Sequence, residues 1–195
     1  MRNVIYFDLD ETLVHTVEQL PTHPSPEKVQ AARKGTTAYQ MVERRMAECK
    51  AWNSPHWTHF GFTLVRPGAH HLLETLKQEA DLYVFSAGGL DYVEATLKET
   101  GLDVYLKGWF SLREPAESSY DQGDAWVLVD NLNPGSMGVN MKVTRVLGLD
   151  AKDERRDTLA QRHTLTVPGW EWDPKDELFE TLPDRIRERL VSLSR

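Results

Sequence analysis

A single cysteine, Cys49, in a chain of 195 residues excludes an internal disulfide framework and any cysteine-cluster metal site. No apolar run approaches the roughly 20 residues needed to cross a bilayer, and no segment has the layout of a secretory signal. The expected setting is therefore a reducing cytoplasm, or a nucleus in a eukaryote, away from membranes. Positive charge is scarce: 23 Lys and Arg stand against 30 Asp and Glu, a formal net charge of −7. That balance disfavours a surface that holds nucleic acid through its phosphates. Repeats and low-complexity tracts are absent, Gly88-Gly89 is too sparse for a dinucleotide loop, and Ser86 lacks the glycines of a Gly-X-Ser-X-Gly elbow. Cys49 has no neighbouring base and reads as a packing residue.

What is present begins with the run Val4-Ile5-Tyr6-Phe7-Asp8-Leu9-Asp10-Glu11-Thr12-Leu13-Val14, an apolar strand-like segment that ends in two carboxylates. Side chains two apart on a strand share a face, so Asp8 and Asp10 converge while Leu9 turns into packing. Two such charges held close need a divalent cation or a raised pKa on one partner. The bland alternative is a strand running into an acidic N-cap, with Thr12 opening a helix.

Strand and helix patterns then alternate. After a strand at 3–8, Pro21, Pro24 and Pro26 punctuate the chain, and Val29, Ala32, Tyr39, Val42, Met46 and Cys49 recur at helical spacing, predicting one or two amphipathic helices over 27–50. Strands are expected at 60–65, 81–86, 108–112, 125–129 and 163–167. Helices are expected through Leu72, Leu73 and Leu76 after Pro67, and through Tyr92, Val93 and Leu97 up to Gly101. A last apolar stripe runs through Leu178, Phe179, Leu182, Ile186, Leu190 and Leu193, with Pro183 expected to break or restart it; residues 150–162 read as a solvated loop or exposed helix. This order implies one α/β domain over 1–195, a mostly parallel sheet with helices on both faces. Ligands of such sheets gather beyond the carboxyl ends of the strands, where Asp8, Ser86 and Asp130 fall.

The segment Asp8-Leu9-Asp10-Glu11-Thr12-Leu13-Val14-His15 resembles motif I of the haloacid dehalogenase (HAD) superfamily, in particular its branch of small C-terminal-domain phosphatases, the NLI-interacting-factor-like phosphatases. The resemblance continues, in the family's order, at Val65-Arg66-Pro67-Gly68, Tyr83-Val84-Phe85-Ser86-Ala87, Val127-Leu128-Val129-Asp130-Asn131 and Val167-Pro168-Gly169-Trp170. It implies a HAD-like, Rossmann-like fold, with residues 17–62 as a small helical cap inserted after motif I; a helix packed on the flank of the sheet is the equal alternative. The implied activity is Mg²⁺-dependent hydrolysis of phosphomonoesters through an aspartyl-phosphate. Asp8 is then the nucleophile, Asp10 the acid and base, with its pKa raised by its charged neighbour. Thr12 fixes the motif, Ser86 and the backbone at Ala87 hold phosphate oxygens, and Asp8, Asp10 through its carbonyl, and Asp130 or Asn131 ligate Mg²⁺. The implied substrates are phosphorylated serine, threonine or tyrosine in proteins. Small phosphorylated metabolites, nucleotides or nucleic-acid ends are one alternative, and a noncatalytic phosphatase-like binding module is another.

One part is missing from its expected place. The family carries a lysine before the Asp-Asn motif, yet no lysine or arginine stands between Arg113 and Asp130. Arg113 is the first candidate to supply the charge, Lys107 the second and Lys142 the next. The histidines His15, His23, His56, His59, His70 and His71 offer possible metal spacings, but exposed or hydrogen-bonding roles are the simpler reading.

Overall fold

The computed structural model describes residues 2–17, 55–58, 61–115, 120–150, 152–170 and 176–194. The helices expected over 27–50, nearly all of the cap region, and Cys49, His23, His59 and Trp172 lie outside them.

Five strands form one parallel sheet. They are β1 (Asn3–Phe7), β5 (Ala80–Ser86), β6 (Gly108–Ser111), β7 (Ala125–Asp130) and β8 (Thr164–Thr166), arranged in the order β6-β5-β1-β7-β8. β1 is central, and Val4 to Phe7 are fully buried, as a strand covered on both faces requires. Alternation divides it between two cores. Ile5 and Phe7 pack with Leu72 and Leu76 of α1 (Ala69–Leu76), Val93 and Leu97 of α2 (Leu90–Thr100), and Leu182, Ile186 and Leu190 of a C-terminal helix, Leu178–Leu193. Val4 and Tyr6 pack instead with Val139 and Val143 of α3 (Met137–Leu147) and Ala160 of α4 (Arg156–His163). The expected parallel sheet with helices on both faces is thus the observed one.

Two elements differ from expectation. β4 (Gly61–Val65) joins no strand of the main sheet; it pairs antiparallel with β2 (Val14–Val17) and β3 (Pro55–Thr58) in a separate three-stranded sheet. The C-terminal helix, α5, runs through Pro183 without a break, because Phe179 and Leu182 before it and Ile186 and Leu190 after it are buried on one stripe. Packing on both sides of the proline offsets its missing N–H. Among the described residues, no helix is long and apolar enough to cross a membrane.

Candidate active site

Asp8 follows β1 directly, and its N–H donates to the Val129 carbonyl at 2.8 Å, so strand pairing sets it beside the end of β7. Its side chain is buried. Oδ1 accepts a hydrogen bond from the Lys142 ammonium at 2.6 Å, and Oδ2 from the Thr12 hydroxyl at 3.2 Å. The same ammonium donates to Asp130 Oδ2 at 2.8 Å, while Asp130 Oδ1 accepts from the Leu132 N–H at 2.8 Å. Two carboxylates therefore share one cation in a buried place, an arrangement with room for a further proton or metal charge. Burial pushes the Asp8 carboxyl up to about 7; Lys142 opposes the rise, and Asp130 and Asp10 add to it. Burial pulls Lys142 down, but Asp8 and Asp130 outweigh it and hold the ammonium above its ordinary value.

Asp10 does not share a strand face with Asp8. β1 ends at Phe7, and the chain folds into a tight turn in which the Leu13 and Val14 N–H groups both donate to the Leu9 carbonyl, at 2.9 and 3.1 Å. Glu11 takes a left-handed φ of 62°, uncommon without glycine and a mark of strain held by surrounding contacts. Its N–H donates to the Val14 carbonyl at 2.7 Å, and its own carbonyl accepts from the Trp170 N–H at 2.8 Å. The Asp10 carboxyl accepts from the Tyr92 hydroxyl, and its carbonyl accepts from the Asn131 side-chain amide at 2.7 Å. The Asp10 pKa is raised as expected, but the first cause is burial; Tyr92 opposes it, and the charge that adds to it is Glu11.

Ser86 ends β5, buried, with Oγ accepting from the Gly88 N–H at 2.9 Å; Ala87 beside it is exposed. Both lie at the same sheet edge as Asp8 and Asp130. The ranking of the cations is reversed by the geometry. Lys107 sits at the opposite end of the sheet, where its ammonium lies 3.6 Å from Asp81 near the start of β5 and is mostly exposed. Arg113 lies just past β6 with its N–H on Ser111 Oγ at 3.0 Å and its side chain exposed. Lys142 alone of the three touches Asp8, because α3 carries it inward under the edge of the sheet.

Arg66 is a residue whose part the sequence does not disclose. Fully covered, it donates through Nε and Nη2 to Asp176 at 2.9 and 2.6 Å, and through Nη1 to the Thr12 and Pro168 carbonyls at 3.3 and 3.0 Å. The Phe179 ring lies 5.1 Å from its guanidinium. It therefore ties the Asp10 turn to the C-terminal segment. The described histidines form no metal cluster: His15 Nδ1 pairs with the Glu11 carboxylate at 2.6 Å, and His70 Nδ1 with the Tyr105 hydroxyl at 3.3 Å.

The parallel sheet with buried carboxylates at its carboxyl edge defines an α/β protein of the class whose ligands gather at that edge. Residues 3–188 match the NLI interacting factor-like phosphatase family, and the chain belongs to that family. Among solved structures, fission yeast RNA polymerase II CTD phosphatase Fcp1 bound to beryllium fluoride is 15% identical with a TM-score of 0.50, over 96% of this chain and 62% of that one. Another Fcp1 structure is 14% identical with a TM-score of 0.48, over 98% of this chain and 49% of that one. A haloacid dehalogenase-like hydrolase from Xanthomonas campestris is 13% identical with a TM-score of 0.48, over 100% and 98%. The chain spans less than two thirds of either Fcp1 structure, and at these identities the likeness is one of fold. Comparison with curated protein sequences gives no significant match.

Proposed function

We propose that the chain hydrolyses phosphomonoesters through a covalent phosphate on Asp8, with Mg²⁺ as cofactor. The observation that carries this reading is the Asp8 carboxylate held between Lys142 and Thr12, with Asp10 on the turn beside it. Asp8 attacks phosphorus in line, the ester P–O bond breaks, and the leaving oxygen takes a proton from Asp10. Asp10 then removes a proton from water, whose oxygen attacks the same phosphorus and releases inorganic phosphate from Asp8. Lys142 supplies the charge that keeps two anions together at Asp8, the role expected of a cation nearer Arg113. Ser86, at the end of β5, and the backbone at Ala87 would hold phosphate oxygens in this reading.

The donor set suits a hard cation. Asp8, the Asp10 carbonyl, Asp130 and the amide oxygen of Asn131 would offer oxygen at one sheet edge, where the Asn131 side-chain nitrogen already donates to the Asp10 carbonyl. Among the described residues no three carboxylate, imidazole or thiol side chains form a closed metal cage. Mg²⁺ needs none, since it keeps several waters and uses one or two carboxylates plus phosphate. When bound, it would neutralise charge on the transferring phosphoryl group.

The resemblance to this family implies phosphorylated serine, threonine or tyrosine in proteins as the substrates. Purified protein is expected to hydrolyse 4-nitrophenyl phosphate with Mg²⁺, to lose activity in chelator and to regain it on Mg²⁺ addition. Asp8→Asn is expected to abolish turnover. A panel of phosphopeptides, nucleotides, sugar phosphates and phosphorylated oligonucleotides then decides the substrate; preference for the non-peptide members would overturn the protein-phosphatase part alone.

A further inference from the structure

We propose that Tyr92, backed by Thr16 and Thr63, is a positioning residue that occupies one oxygen of the Asp10 carboxyl and reserves the other for the reacting oxygen. The inference rests on the phosphatase reading of Asp8 and Asp10.

Tyr92 lies on α2, buried, with its hydroxyl bonded to Asp10 Oδ1 and 3.0 Å from Thr16 Oγ1. Thr16 Oγ1 is in turn 2.9 Å from Thr63 Oγ1, and the two threonines are cross-strand partners on β2 and β4. A phenol has one proton, and Oδ1 can accept it in both states the mechanism uses: from an ionised carboxylate, which only accepts, and from a carboxyl whose own proton sits on Oδ2. With that proton directed to Asp10, the 3.0 Å contact between the two hydroxyls is made by Thr16 donating to the Tyr92 oxygen, and the Thr16–Thr63 contact by Thr63 donating in turn. Each bond in this directed series, Thr63 to Thr16 to Tyr92 to Asp10, polarises the next. The separate three-stranded sheet thereby supplies the two hydroxyls that orient the phenol.

The backbone makes room for the contact. A Cβ at Gly88 would lie 2.7 Å from Tyr92 Cδ1, so the ring reaches Asp10 because residue 88 has no side chain. With Oδ1 taken, Oδ2 is the oxygen that carries the mobile proton. It gives that proton to the leaving oxygen as the ester bond breaks, and takes one from water as the phosphate on Asp8 is hydrolysed. The Tyr92 proton itself is not transferred.

The test is the dependence of rate on the leaving group. Protonation matters most when the leaving oxygen is basic, so a misdirected acid harms alkyl phosphates more than activated aryl phosphates. Tyr92→Phe, which keeps the ring, is expected to lose about tenfold more kcat/KM on an alkyl phosphate than on 4-nitrophenyl phosphate, since a small misplacement costs up to about a hundredfold. Thr16→Val is expected to shift the profile in the same sense by a smaller factor. Equal losses across leaving groups, as a purely structural role would give, or no loss at all, would overturn the proposal. Asp8→Asn measured alongside separates the two levels. Turnover surviving in that variant would bring down the site reading and this inference together, whereas a flat profile with Asp8→Asn inactive brings down this inference alone.

Discussion

The Lys142 ammonium donates to Asp8 at 2.6 Å and to Asp130 at 2.8 Å while its side chain is only 2% exposed, so both pairs are largely removed from bulk solvent. A cation in such a place acts far more strongly than one at the surface. Lys142→Met, which keeps the stem and removes the charge, is expected to lower kcat by about 10²- to 10³-fold, the range for losing a preorganised electrostatic group. It also leaves two buried carboxylates uncompensated, at a cost of roughly 3–5 kcal/mol, so its kinetics belong beside a circular-dichroism check of folding. Lys107→Ala and Arg113→Ala are expected to stay within about twofold of wild type, given the exposure of both side chains. A large loss at Arg113 with none at Lys142 would restore the first ranking. The difference in legibility between these residues is physical. Asp8, Asp10 and Thr12 share one short segment, and their types and order show in the sequence. Lys142 meets Asp8 across 134 positions, and only the docking of α3 under the sheet brings them together. Tyr92 reads as core for a related reason: helical spacing marks its buried face, while its hydroxyl bond depends on where α2 lies against β2.

At the scale of elements, the clearest parts of the sequence were those buried on both sides. β1 and β7 read as strands because their apolar runs are too short for a helix and rich in β-branched and aromatic residues, and their ends placed Asp8 and Asp130. β2 was hidden because Val14–Val17 continues the motif without a turn signal, and its partner β4 lies about fifty residues on. Arg66 joins these elements to α5. Arg66→Met would strand Asp176 and remove the donors to the Thr12 and Pro168 carbonyls, so a loss of about 3–5 kcal/mol is expected in chemical denaturation. Unchanged stability would mean that the Val167 N–H bond to Asp130 and the Trp170 N–H bond to Glu11 suffice to hold the segment around Pro168. The junction of α4 and β8 offers a pH test. His163 stacks on Trp126 at 4.2 Å, and since a carbonyl only accepts, its Nδ1–H donates to the Trp126 carbonyl at 3.2 Å. Burial pushes its pKa down, with the carbonyl bond opposing. Below the ordinary histidine pKa the unfolded chain therefore takes up the proton first. This contribution to stability is complete above that value and is lost as pH falls toward the depressed one. Denaturation at pH 8 and pH 5.5 should show a larger fall for wild type than for His163→Phe, and equal falls would remove His163 as a cause.

For the whole molecule, the site is a meeting of β1, β7, α3 and the Asp10 turn, and none of these holds a complete set of ligands alone. A cation that binds this assembly binds the folded state and not the unfolded chain, so it must raise global stability by mass action, about 2.7 kcal/mol at a hundred times its Kd. For a chain of this length that corresponds to a rise in Tm of roughly 5–10 °C. Mg²⁺ is therefore expected to stabilise wild type by that amount in a thermal melt, and chelator to reverse it. Asn131→Ala should reduce the shift while leaving the bonds of Lys142 to Asp8 and Asp130 in place. A general salt effect would mimic none of this. Screening depends on ionic strength alone and acts weakly on buried pairs, so NaCl of matched ionic strength should produce little change in wild type or variant. If Mg²⁺ and NaCl shift the melt equally, the oxygen atoms at this sheet edge do not form a metal site. The charge at Asp8 would then be balanced by Lys142 and a proton, in keeping with the raised Asp8 pKa.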